Sequence, residues 1–330
     1  MSMNEEVNRN RPILNPSMII ATACRVPAPR REAVAKVRHP RTRLGGPQLR
    51  AMGLIMALFG AAFWGLPYFA QSPSHGPGDT AVVLGFVILL AFAQRGLSTS
   101  SYQALCAGFG ATLVFMEFLT GLLPTAAAIL LPFGYLAARS AEWSPGEVAA
   151  RWRFALAGLV AFGVGVVLTV LLKQLFSIAL FGAEVIQAFT NNLNYYVQDL
   201  ERGPENRLLM GLYTLKTIVL KWGSLLAYRS GTGALVLFGS AIAAWGAAFL
   251  IALRLWSERS AHFLAVCVAG AAIIMVWILV LPTHTFHHAH MVRMMIAPIA
   301  LGWIALALQI QEFAHQRNNR RHAVQTGVPQ

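Results

Sequence analysis

The sequence predicts an all-α fold, a polytopic transmembrane helix bundle of about eight spans with interfacial amphipathic helices; a count of up to ten stays open. Three observations predict it. Of the 330 residues, 56% are hydrophobic and only 12% are charged, and soluble domains carry about twice that charged share. The apolar residues gather in blocks of about 15 to 22, close to the roughly 20 residues a helix needs to cross the hydrocarbon core. The blocks neither alternate polar with apolar nor stay as short as barrel strands, and in lipid only helices and closed barrels satisfy the backbone.

Residues 1–50 are polar and rich in Arg and Pro, so a disordered, basic cytoplasmic tail is expected there. Its one apolar run, Met18 to Ala23, is too short for a signal-peptide core. The transmembrane domain is expected over 51–310. Its spans are Ala51–Ala70, Thr80–Gln94, Tyr102–Leu119, Leu122–Ala138, Phe154–Leu172, Ala234–Leu255, His262–Leu281 and Met291–Ile310. Ser144, Pro145 and Glu147 supply an N-cap, a first-turn proline and a capping-box acid before the fifth span. A long outer loop, 173–233, separates the fifth span from the sixth. Ser177, Glu184, Gln187 and Asn191 form one polar stripe in it. Thr214, Thr217, Lys221 and Ser224 form another, opposite Leu208, Leu212, Leu215, Val219, Trp222 and Leu226. Such helices lie in the membrane interface, or cross as polar spans and give the ten-span count. Residues 311–330 form a basic cytoplasmic tail.

The net charge of +13 raises a nucleic-acid reading, which fails on distribution. With the N-terminus inside, nineteen of the 26 lysines and arginines fall in inside segments and seven outside, six of these in the long loop. That is the positive-inside pattern, and the basic tail can touch anionic headgroups. Cys24, Cys106 and Cys267 have no metal or redox spacing and read as small buried apolar residues.

The unusual polar groups then collect on the outer face, where ionisable residues at membrane depth are functional candidates. Asp79 closes a Gly/Pro-rich turn with His75; it is either part of a solvated turn or a carboxylate presented above the bilayer. Glu117 lies within a turn of its span's end, and is either a snorkelling side chain or a functional acid. His284, His287, His288 and His290 fall together, with Arg293 at the head of the last span. An anionic headgroup or phosphate site, a metal pair at His284 and His288, and a wet loop are the three readings, and the first is preferred because Arg293 is a fixed charge. No metal or other cofactor is expected.

His284-x-x-His287 followed by Arg293 resembles a pattern in bacterial GT-C-type membrane glycosyltransferases. The stretch Phe109-Gly110 through Glu117-Phe118-Leu119-Thr120 is similar to their Tyr-x-Asp-Phe-Leu-Thr pattern, with Glu117 where Asp is usual. The resemblance spans about Ala51 to Gln309. It implies a polyprenyl-phosphate carrier as partner, sugar transfer on the outer face, and residence in a bacterial inner membrane with both termini cytoplasmic. It implies Asp79 or Glu117 as the catalytic carboxylate, and Lys221, His284, His287 and Arg293 as contacts to the lipid phosphate. The family's large acidic first loop has no counterpart, so a relative lacking the N-terminal catalytic part, truncated or inactive, is the expectation. A non-catalytic scaffold subunit and a transporter or flippase-like carrier are the alternatives. Spans without Asp, Glu, Lys or Arg at mid-depth argue against the carrier.

Overall fold

The computed structural model describes residues 47–59, 76–95, 98–116, 122–138, 145–197, 209, 211–213, 216, 231–281 and 294–326. The helices are α1 (Pro47–Phe59), α2 (Gly76–Arg95), α3 (Thr99–Met116), α4 (Leu122–Ala137), α5 (Pro145–Phe181), α6 (Glu184–Val197), α7 (Gly231–Leu255), α8 (Glu258–Val280) and α9 (Ile296–Thr326). No strand occurs among the described residues, so the all-helical expectation holds. By length and composition four helices can cross a membrane: Gly146–Phe181, Phe238–Leu255, Glu258–Val280 and Ile296–Arg321. These meet the fifth to eighth expected spans; Gln48–Leu58, Leu84–Ala93 and Leu122–Ala137 are shorter apolar helices. The expected disordered tail was 1–50; residues 1–46 of it, the Ser144 N-cap and Cys24 lie outside the described residues, whereas 47–50 belong to α1, which starts at Pro47 rather than Ala51.

α4 is the hub, in contact with α1, α2, α3, α5, α8 and α9. It is apolar on every side, as a helix surrounded by protein should be, and thirteen of its sixteen residues are buried. Pro132 inside it has no N–H to offer the Ala128 carbonyl four residues earlier. A Cβ on Gly270 of α8 would strike that same carbonyl oxygen, so glycine lets α8 close on α4 at the point where the helix ladder is interrupted.

The most extensive pairing is α3 with α5. A Cβ on Gly165 would overlap the Ala107 carbonyl, and one on Gly110 the Phe162 carbonyl. Small residues thus let the two backbones approach closely, the main source of helix association where lipid removes the hydrophobic driving force. Tyr102 stacks on Phe154 at 4.4 Å near the other end of the pair. Cys106 and Cys267 are both buried and unoxidised, as their apolar surroundings predicted.

Two elements run past their expected limits. The fifth span was expected to stop at Leu172, but α5 continues to Phe181 and breaks only at Gly182, whose φ of 84° suits glycine. The final tail was expected to begin at 311, but α9 stays helical to Thr326. The sequence boundaries followed hydropathy; the helix ladder does not need apolar side chains once it leaves lipid. As expected, α5 begins at Pro145 with Glu147 in its first turn.

The helix directions create two ends. Arg151 of α5, Tyr135 of α4 and Arg259 of α8 meet at one end, and Glu312 of α9 pairs with Arg259 there. The C-terminus of α7 brings Arg254 beside Arg317 of α9 at this basic end. Lys173 of α5 and the C-terminal turn of α3 meet at the opposite end.

Candidate functional site

The end opposite the arginines takes its geometry from the α2–α3 hairpin. A Cβ on Gly85 would meet the Phe109 ring, and Phe86 packs edge-on to Phe109 at 5.3 Å. Counting outward by equal steps in antiparallel helices, the backbone of Asp79 in the first turn of α2 stands level with Phe115 near the end of α3. Lys173 reaches this level from α5. Its Nζ donates to the Val114 carbonyl at 2.7 Å and the Phe115 carbonyl at 3.0 Å, and lies 5.4 Å from the centre of the Phe115 ring. A cation on the last carbonyls of a helix satisfies orphan acceptors and complements the helix dipole.

Of the candidate catalytic and phosphate-binding residues, only Asp79 falls inside a described helix, and nothing of its side chain is described. Glu117, which follows the last residue of α3, lies outside them too, as do Lys221, His284, His287 and Arg293. The chain ends flanking these residues can still be placed. Met116 closes α3, Val280 closes α8 and Ile296 opens α9, all at the Lys173 end by helix direction. Between α6 and α7, a Cβ on Gly211 would touch Leu279 in the last turn of α8, so the segment before Lys221 also passes this end.

This end also carries an apolar ledge. α5 extends eight residues past Lys173, and Phe176 and Phe181 on it are 68% and 74% exposed. After the Gly182 break, α6 is amphipathic, with Val185 and Phe189 less exposed than Gln187 and Thr190. An apolar ledge beside a cationic anchor is chemically suited to the interface between acyl chains and headgroups.

The basic end holds a buried polar network that sequence reasoning did not find. Gln309 is fully buried, accepts from the Ser260 hydroxyl, and donates from Nε2 to the Ser260 carbonyl at 2.9 Å. One turn along α9, Glu312 faces Arg259 at 3.2 Å and accepts from Gln316 Nε2 at 3.3 Å. Arg151 donates to the Tyr135 carbonyl at 3.4 Å and lies 5.9 Å from the centre of the Tyr135 ring. Ser257 caps α8, its hydroxyl accepting from the Ser260 N–H. The available signal was Gln309, Glu312 and Gln316 at helical spacing on an otherwise apolar helix. Ser260 with Gln309 and Arg259 with Glu312 pair across the two helices, so their chemistry is that of a clasp between α8 and α9.

Trp245 of α7 makes a second tie to α9. A Cβ on Gly302 would meet its ring, and its Nε1 donates to the Pro298 carbonyl at 3.0 Å. Among the described residues no cluster of three or more His, Cys, Asp or Glu side chains has metal-binding geometry. Comparison with protein-family models, curated proteins and solved structures finds no match to this chain.

Proposed function

We propose that this chain is an integral membrane protein that holds a polyprenyl-phosphate-type lipid carrier at its Lys173 end, in the manner of the GT-C glycosyltransferases it resembles. In this reading about eight spans cross a bacterial inner membrane, the basic end and both termini face the cytoplasm, and the Lys173 end faces out. The positive-inside rule supports that orientation. The observation that carries the reading is topological: the helix ends flanking Asp79, Glu117, Lys221 and the 282–293 segment all open at the end where Lys173 caps α3. Asp79 or Glu117 would orient or deprotonate an acceptor hydroxyl. Lys221, His284, His287 and Arg293 would hold the carrier phosphate, and the ledge of α5 would lie along its polyprenyl chain.

A transporter is disfavoured by the long helices. In α5 no ionisable side chain lies between Arg153 and Lys173, and in α7, α8 and α9 the described ionisable residues sit toward the basic end. A non-catalytic scaffold subunit is the second reading, favoured by the closure of the α8–α9 polar network on itself.

The test titrates the purified full chain in nanodiscs with undecaprenyl phosphate, beside a variant carrying Arg293→Ala and His287→Ala. Saturable binding that weakens roughly tenfold or more in a variant with unchanged helicity supports the carrier site. Absence of binding, or equal binding by the variant, overturns it in favour of the scaffold.

A further inference from the structure

Where α9 outruns its apolar stretch it does so beside the last turn of α7, and the two border an open cavity of about 740 Å³. Arg254 lines it from α7; Phe313, Gln316, Arg317, Arg320 and Arg321 line it from α9. Arg317, Arg320 and Arg321 are spaced i, i+3 and i+4, which sets them on one helix face. Among the described residues, no carboxylate lines the cavity. The nearest acid on α9, Glu312, is committed to Arg259. Four exposed guanidinium groups without an acid among them repel one another, so the cavity is poised for an anion.

Depth identifies the kind of anion. From Ile296, roughly 20 residues of helix cover the hydrocarbon core, so Arg317 stands at the headgroup boundary. Arg254 ends α7 at the same level. The neighbouring Trp256 is 85% exposed, at a φ of 46° that turns it out of the helix, and exposed tryptophan marks membrane interfaces. Toward mid-membrane the surface beside the cavity is apolar: Leu250, one turn before Arg254, is 66% exposed, and Ile310, three residues before Phe313, is 51% exposed.

We infer that this cavity binds the phosphate headgroup of an anionic phospholipid from the leaflet at the basic end. The guanidinium forks of Arg317, Arg320 and Arg321, with Arg254 facing them, grip the phosphate oxygens in paired hydrogen bonds. Leu250, Ile310 and Phe313 receive the upper acyl chain. The site is separate from the carrier site proposed above, at the other end of the helices. A bound lipid would tie α7 to α9 where only Arg254 and Leu255 of α7 line the gap.

The experiment uses the full chain in phosphatidylcholine nanodiscs and measures retention of added phosphatidylglycerol by native mass spectrometry. Its variants are the triple Arg317→Gln, Arg320→Gln, Arg321→Gln; the single Arg254→Gln; and, as a control away from the cavity, Arg153→Gln. At roughly 1 kcal/mol per basic residue near a membrane surface, the triple variant weakens binding by about a hundredfold and Arg254→Gln by about fivefold. Arg153→Gln leaves it unchanged. Equal retention by the triple variant overturns the site, and loss in the Arg153 control shows general surface attraction and overturns it too. Displacement of the lipid by inorganic phosphate at equal concentration would show that the acyl chains contribute nothing and overturn the lipid assignment. Arg254 sits on a different helix from the triple set, so its result stands even if the triple variant disturbs the α9 extension.

Discussion

The clasp between Ser260 and Gln309 makes a sharp prediction about the α8–α9 pairing. Ser260→Ala removes the donor to Gln309 Oε1, and leaves that buried carboxamide oxygen without it. Gln309→Leu removes both bonds and strands the buried Ser260 hydroxyl. Each single change costs about 1–2 kcal/mol, since a buried polar atom loses its partner. The double variant leaves alanine against leucine with no polar side-chain atom stranded, so its cost falls below the sum of the singles. Pairs within membranes average about 0.6 kcal/mol and reach about 1.7. The full burial of both residues here places the expected coupling near 1 kcal/mol. Reversible unfolding of the purified protein in mixed detergent–SDS micelles, followed by circular dichroism, measures all four corners of the cycle. Coupling below about 0.3 kcal/mol, the additivity of independent sites, would refute the claim that these two residues clasp the helices.

Three further outcomes are expected. Glu312→Gln removes the charge facing Arg259, a pair in which the carboxylate is buried and the guanidinium partly exposed, and destabilises the fold by about 1–2 kcal/mol in the same assay; Arg259→Met in that background recovers part of the loss. Lys173→Met uncovers the Val114 and Phe115 carbonyls and costs about 2 kcal/mol, measured as a lower unfolding midpoint, whereas Lys173→Arg retains most of the stability. Gly270→Val forces a side chain into the Ala128 carbonyl; overpacking against backbone costs about 3 kcal/mol or prevents folding, and wild-type yield and unfolding midpoint would contradict it.

The short helices show why span counting from hydropathy and span counting from structure diverge. α4 has only sixteen residues and contains Pro132, yet it occupies the centre of the contacts. A helix that touches protein on all sides is not required to match the thickness of lipid. Its rank in the fold depends on Gly134, where a Cβ would meet Tyr102 and Ala155, and on the approach of Gly270 from α8. In the sequence these glycines are indistinguishable from Gly163, Gly239 and Gly246, which face open space.

The candidate site was legible only as a set of residue types. The histidines, Arg293, Glu117 and Asp79 stand out because ionisable groups are costly beside apolar blocks, and helix direction brings the flanking ends of their segments to one end. The arginine-lined cavity was not legible: Arg254 and Arg317 are 63 positions apart, and each alone reads as an inside charge at a span end.

By itself, the sequence determined the all-helical state of the described residues, the α5 start at Pro145 and Glu147, and the burial of Cys106 and Cys267. These are local matters, decided by the hydropathy of about 20 consecutive residues and by capping chemistry within one turn. Tertiary structure alone decided how far α5 and α9 run, that Lys173 is spent on the carbonyls of α3, and that Gln309 finds Ser260 across 49 positions. The physical reason is that these outcomes depend on which backbone carbonyls and buried polar atoms come within hydrogen-bond reach, and that distance exists only after the helices have packed.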